Sequence, residues 1–528
     1  MRLLCLASIL LPLAQVPGAP HGATWDLIIR NGRVADGTGN PACFADVAVK
    51  RGRVAALGRI TGKARTEIDA KGLIVAPGFI DVHTHADELA TIPEAENFLR
   101  MGVTTIVAGN CGGSPVDIAR AFREIERKKT SINFTTLIGA GSVRAKAMGG
   151  DFNRPPTPEE LQRMRDLVKQ AMRDGAVGLS TGLIYTPGVY ATTGEIIELA
   201  KVAARYGGIY ATHQRNEGTG ILGSLDEIIR IAREAGIRAE VSHIKLAGEK
   251  AWGRADQVLA HIEQARAEGL DITQDQYAYT ASSTGISQLI PDDAFDGGRG
   301  KFIERLNDPA EKKKIVEAMR QKIYDRGRSD YAYAVIASYR HNRTLNGLNI
   351  VEAAKKVRGN DSLDDQIEMI LEIQRNGGAS GVFHGMDETD LQTFMRHPNT
   401  MIACDSGLRK LGEGVPHPRG YGNNARVLNR YVRELKVLRL EDAIRKMTSL
   451  PAATFRFEGR GSLHAGNWAD IVIFDPEKVR DVATYDAPHH YAEGFAYVLV
   501  NGVPVINEGR LTGARPGRVL RHNIASKP

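Results

Sequence analysis

The stretches Gly208-Ile209-Tyr210-Ala211-Thr212-His213 and Ala239-Glu240-Val241-Ser242-His243 decide how the fold is read. Each is a short, mostly apolar run of the kind buried on both faces in a parallel sheet, and each ends in histidine. The two histidines stand thirty residues apart, and residues 225–235 between them carry apolar side chains at helical spacing. That distance is one strand–helix unit. Working outward, the same kind of run recurs at 78–83, 104–108, 134–138 and 176–180 before them, and at 271–277 and 401–405 after them. Helical periodicity fills intervals such as 159–174, 193–206 and 255–268. Eight strands alternating with helices predict an α/β fold: a closed (β/α)8 TIM-like barrel whose chemistry sits on the C-terminal rim of the strands. Residues 284–395 are too many for one crossover, so part of that stretch is read as an insertion near the barrel mouth, a lid or specificity region.

Both ends of the chain are different in style. Residues 26–58 alternate with period two around Asn31-Gly32, a pair that signals a tight hairpin. Residues 470–474 and 497–506 repeat the style. The expectation is a small β-sandwich domain made discontinuously from 24–76 and 456–528, with the barrel over 77–455. Before it, Arg2, an apolar stretch to Ala14 and Pro17-Gly18-Ala19 have the parts of a secretory signal peptide over residues 1–19. This predicts an exported protein, periplasmic or secreted; the alternative is an apolar N-terminal tail. No other stretch is long and apolar enough for a membrane span.

The chain has 528 residues, with 42% hydrophobic and 25% charged, a globular composition that excludes wholesale disorder. Its net charge of +7 is too dilute for a nucleic-acid footprint and fits an acidic small substrate. Oligomeric state is not written in the sequence. Of four cysteines, Cys5 would leave with the signal, and Cys43, Cys111 and Cys404 are too few and scattered for a disulfide framework.

The chemistry-bearing residues cluster at the predicted strand ends. His83 and His85, in Asp81-Val82-His83-Thr84-His85, point the same way if the strand is regular, and so could reach one ion. His213 and His243 close successive strands. Cys111, in Gly109-Asn110-Cys111-Gly112-Gly113, follows the second strand; thiolate sulfur and imidazole nitrogen are what zinc selects, the alternative being a small buried residue at a glycine-rich turn. Asp405 closes the eighth strand, where a carboxylate can take a proton from a metal-activated water and return it to a leaving amine.

Taken together, Gly78-Phe79-Ile80-Asp81-Val82-His83-Thr84-His85, Gly109-Asn110-Cys111-Gly112, residues 178–185, His417-Pro418-Arg419 and residues 469–476 make the chain similar to the amidohydrolase superfamily, in particular its N-acyl-D-amino-acid deacylase (D-aminoacylase) branch. That resemblance implies a zinc ion held tightly by Cys111, His213 and His243, with His83 and His85 lining a second, weaker metal position. It implies Asp405 as the catalytic aspartate and substrate contacts at Lys245, Tyr277, Ser283 and Arg419, where a cation would grip the free carboxylate of an N-acyl amino acid. Related hydantoinases carry a carboxylated lysine on the fourth strand, and residues 175–185 contain none. The expected reaction is zinc-dependent hydrolysis of N-acyl-D-amino acids to a carboxylate and a free D-amino acid. A dipeptidase or cyclic-amide hydrolase of the same superfamily is the competing enzyme; a catalytically dead scaffold is the competing non-enzyme.

Overall fold

The computed structural model describes residues 25–523. The expected signal segment lies outside them. Strands Phe79–Asp81, Val103–Ala108 and Asn133–Thr136 pair in parallel, and Ile138–Gly139, Gly178–Gly182, Ile209–His213, Arg238–Val241, Ile272–Gln276 and Thr400–Ile402 continue the order. The Val177 N–H donates to the Thr136 carbonyl between the two groups. Ser406 and Gly407 pair with Thr84 and His85 and close the ring. All eight expected strands are present, with the first, third and eighth each broken into two pieces.

Alternation along the strands separates two cores, as the pleat requires. Ile80, Val107, Ile209, Ala211, Met401 and Ala403 share one buried cluster, capped from below by Leu450 and Phe455. Their neighbours Phe79, Ile106, Tyr210 and Ile402 belong to the cluster under the helices. The helices begin where the sequence offers caps: Thr157 and Glu160 make a reciprocal capping box in front of Pro158–Asp174, and Thr192 caps Thr193–Arg205.

The chain ends build one nine-stranded sheet that runs from Arg510–Leu511 through Ile471–Phe474 and Ile74–Pro77 to Trp25–Val34 and Arg53–Gly58. Ile471 and Ile473 face a core shared with Leu27, Val47 and Val75, while Val472 and Phe474 face the barrel. The hairpin expected at Asn31-Gly32 is not there. Trp25–Val34 is one continuous strand in which Asn31, at φ 59°, is a bulge opposite Cys43–Lys50, because Gly32 to Val34 carry on pairing with that strand and Arg33 and Val34 pair with Ile74 and Val75. A side chain at Gly32 would meet Val75 at 2.5 Å. Asn501-Gly502, by contrast, is a two-residue turn, with Val500 paired to Val503.

The insertion has boundaries of its own. Ala281–Gly285, Ser380–His384 and Ala334–Ser338 form a three-stranded antiparallel sheet covered by helices, with a separate core that includes Phe302, Met319, Ile336 and Ile370. Helix Glu388–Arg396, placed by the sequence reading inside the 284–395 stretch, packs its Leu391, Phe394 and Met395 into the barrel's outer core and belongs to the helical ring. No helix among the described residues is long and apolar enough to cross a membrane.

Candidate active site

The C-terminal rim gathers the residues that the sequence singled out. His213 continues the inward phase of Ile209 and Ala211. His243 does not inherit its direction: Ala239 and Val241 face the outer core, and regular alternation would send His243 there too. A left-handed backbone at His243, φ 38°, turns the ring back into the mouth. Cys111 and Asp405 share this conformation, at φ 53° and 49°. Non-glycine residues seldom adopt it, and strain of this kind collects at functional sites.

Cys111 Sγ lies 3.3 Å from His83 Nε2, 3.6 Å from His243 Nε2 and 3.8 Å from His213 Nδ1. Cys111, His83 and His243 lie close enough together to hold one ion, His213 Nδ1 reaches the same sulfur, and thiolate with imidazole is a donor set suited to zinc. A second group shares His83: Asp405 Oδ1 is 3.6 Å from His83 Nε2 and 3.1 Å from His85 Nε2. His83 and His85 do not point the same way from one regular strand, because a bend at Val82-His83 interrupts it; His83 is fully buried while the His85 side chain keeps 43% exposure. They meet instead at Asp405.

Electrostatics follow from this crowding. Burial alone would raise the Cys111 thiol, but the facing imidazoles of His83, His213 and His243 bring it well below the usual thiol range. Burial likewise opposes ionisation of Asp405, yet Arg419, His243 and His83 hold its carboxyl well below the usual carboxylate range. Burial lowers His213. His85 is pushed up to about 9: burial works against this, and Asp405 and Cys111 together outweigh it.

Three carboxylates that the sequence reading missed stand behind the rings. Asp275 accepts from the His243 backbone N–H at 3.0 Å and pairs with His83 Nδ1 at 3.2 Å. Glu240 lies beside Asp275, and burial together with that neighbour pushes it well above the usual carboxylate range. Glu217 faces both His213 and His243. Inward alternation from Thr273 was a usable signal for Asp275; for Glu217, placed by a loop four residues after His213, there was none stronger than that spacing.

Three of the four expected substrate contacts meet at one point, and the fourth, Lys245, pairs with Glu217. Arg419 Nη1 is 2.9 Å from Asp405 Oδ2, its Nη2 donates to the Ser283 carbonyl at 3.4 Å, and its guanidinium stacks 4.4 Å over the Tyr277 ring. The Arg419–Asp405 approach is close without hydrogen-bond alignment, leaving that Nη1 unsatisfied and buried. Lys245 is buried, ion-paired to Glu217 and hydrogen-bonded to the His243 carbonyl at 2.8 Å. Ser283, His85, Cys111, Tyr185 and Asp405 line a cavity of about 550 Å³ above the cluster. Cys43 is exposed and Cys404 buried; both lie outside this cluster.

The family model described as the amidohydrolase family matches residues 66–284 and 300–506. The chain belongs to the amidohydrolase family. Among curated relatives of this amidohydrolase, D-aminoacylase of Alcaligenes xylosoxydans xylosoxydans is 36% identical over 526 residues, 95% of this chain and 98% of the relative. N-acyl-D-glutamate deacylase of the same organism is 35% identical over 530 residues, again 95% and 98%. Among solved structures, the N-acyl-D-glutamate deacylase of Bordetella bronchiseptica, complexed with zinc and a phosphonate mimic of the tetrahedral intermediate, superposes with TM-score 0.81 at 34% identity, covering 94% of this chain and all of that one. A crystal structure of D-aminoacylase gives 0.80 at the same identity and coverage.

Proposed function

We propose that this amidohydrolase is a zinc-dependent N-acyl-D-amino-acid deacylase, releasing a carboxylate and a free D-amino acid. The observation that carries the reading is the meeting of Cys111 Sγ with three imidazole nitrogens beside an ionised Asp405. Cys111, His213 and His243 would hold the ion, with His83 and His85, beside Asp405, lining a second, weaker position. Zinc bound there supplies Lewis acidity to an acyl carbonyl and an acidified water. Asp405 is placed and charged to accept the proton of the attacking water and to return it to the departing nitrogen. Arg419, steadied by the Tyr277 ring, and Ser283 on the cavity wall are the candidate grip for the substrate's free carboxylate. The lysine-free fourth strand, Gly178–Gly182, sets the site apart from one that relies on a carboxylated lysine.

The same reading takes residues 1–19 as a cleaved export signal and assigns 24–76 with 456–528 to a terminal β domain around the barrel of 77–455. N-terminal sequencing of the protein recovered from periplasm or medium tests the export; a cytosolic chain that keeps Met1 overturns it. A panel of N-acetyl-D- and N-acetyl-L-amino acids, with ninhydrin detection of released amine on zinc-loaded protein, tests the activity. Turnover confined to D forms is expected. Silence across the panel overturns the deacylase assignment.

A further inference from the structure

Of the stretch His417-Pro418-Arg419, the chemistry just described uses only the arginine. The His417 ring is buried beside the substrate half of the mouth. Its Nδ1 accepts from the Arg419 backbone N–H at 3.0 Å, and its Nε2 donates to the Ala281 carbonyl at 2.8 Å. A backbone N–H can only donate and a carbonyl can only accept, so the two partners together fix one neutral tautomer, bare at Nδ1 and protonated at Nε2. Burial and the neighbouring Arg419 guanidinium act in the same direction, holding the imidazole well below the usual histidine range.

The ring joins two elements distant in sequence. Arg419 opens the helix Arg419–Arg426, and Ala281 opens the inserted strand Ala281–Gly285, two residues before Ser283. Because the Ser283 carbonyl accepts from Arg419 Nη2 at 3.4 Å, helix and strand are tied twice, once through the arginine's own side chain and once through His417. Aromatic rings hold the imidazole in place: Tyr279 and Tyr485 pack edge-on at 5.3 and 5.2 Å between centroids, and Tyr277 at 6.2 Å. Tyr485 comes from the stretch between Ile471–Phe474 and Phe495–Val500, so the terminal sheet supplies one wall. Tyr277 also carries the Arg419 guanidinium, 4.4 Å over its ring.

We propose that His417 is the positioning residue of Arg419: by fixing the first residue of the arginine's helix to the strand that carries Ser283, it sets where the guanidinium stands over Tyr277 and against Asp405. The assignment rests on the reading of Arg419 as the grip for the substrate carboxylate. Its test is a double-mutant cycle on zinc-loaded protein with N-acetyl-D-amino acids. His417→Phe fills the ring's space without either hydrogen bond, and kcat/KM is expected to fall about 10- to 100-fold, the scale of an ångström of misplacement, with zinc content unchanged. In an Arg419→Ala background the same substitution is expected to cost nothing further, because no guanidinium is left to misplace. If His417→Phe does not fold, His417→Asn, which can accept from the Arg419 N–H but is too short to reach Ala281, carries the same cycle with a smaller fall. Wild-type kcat/KM in the variants, an undiminished fall in the Arg419→Ala background, or lost zinc overturns the assignment. A wild type that turns over none of the panel overturns the deacylase reading instead. A crystal structure of the folded variant then decides for His417: a guanidinium shifted off Tyr277 is expected, and an unmoved one overturns the assignment.

Discussion

The two halves of the barrel mouth are made by different means. On the metal half, His213 and His243 end strands, Cys111 and His83 follow strand ends within a few residues, and their directions are set by pleat, by a bend and by single left-handed residues. On the substrate half, Tyr277 follows a barrel strand, but Ser283 comes on the inserted sheet and Arg419 opens the helix Arg419–Arg426. Local backbone geometry is enough to build the first. The second needs a separately cored insertion to be docked before its groups meet, so the metal half should tolerate damage that the substrate half does not, and the reverse.

Asp405 stands at the junction, and its variant has the largest expected effect. Asp405→Asn keeps the shape but cannot accept a proton, so kcat should fall by about two to four orders of magnitude. Zinc in the Cys111 cluster should remain, because Asp405 belongs to the other donor group. Steady-state kinetics beside metal analysis checks both, and near-wild-type kcat would remove Asp405 from the chemistry.

Cys111→Ala separates the halves from the metal side. Losing the one thiolate that three imidazoles face should weaken zinc by more than the about 100-fold upper cost of losing an outer partner. Activity should return in part at high added zinc, with KM little changed. Mass spectrometry showing full zinc in the variant would return Cys111 to a packing role.

What the sequence made legible follows the same division. Strand-ending histidines, the glycine-flanked cysteine and Asp405 could be picked out because period two and a repeating strand–helix unit carry direction as well as position. For Lys245, placement two residues past His243 says that it shares the mouth but not that Glu217 pairs with it there. Glu217 sits on a loop, where no periodicity points, and Asn31-Gly32 reads locally as a turn although pairing on both sides keeps its strand running. In each case the missing information is a partner distant in sequence.

Arg419→Ala should damage the substrate half and, through Asp405, the junction, while sparing the metal half. It removes the guanidinium from Tyr277 and Asp405 and leaves the Cys111 cluster untouched. Stranding one partner of a desolvated charge pair costs about 2–5 kcal/mol, which should appear in kcat/KM for N-acetyl-D-amino acids at unchanged zinc content. A parallel loss of zinc would mean that the halves are not independent.

Ser283→Ala is the finest cut. The Ser283 carbonyl, which accepts from Arg419 Nη2, survives the substitution, so the arginine keeps its anchor and only the cavity-lining hydroxyl is lost. If that hydroxyl donates to the substrate carboxylate, the loss is that of one hydrogen bond to a charged group, about 1.5 kcal/mol in a partly wet site, or about tenfold in KM. The matching N-acetyl-D-amino amide has no carboxylate to lose it from, so it should be a poor substrate for the wild type and no poorer for the variant. An acid whose KM does not move would leave Ser283 acting through its backbone only, and would place the whole carboxylate grip on Arg419.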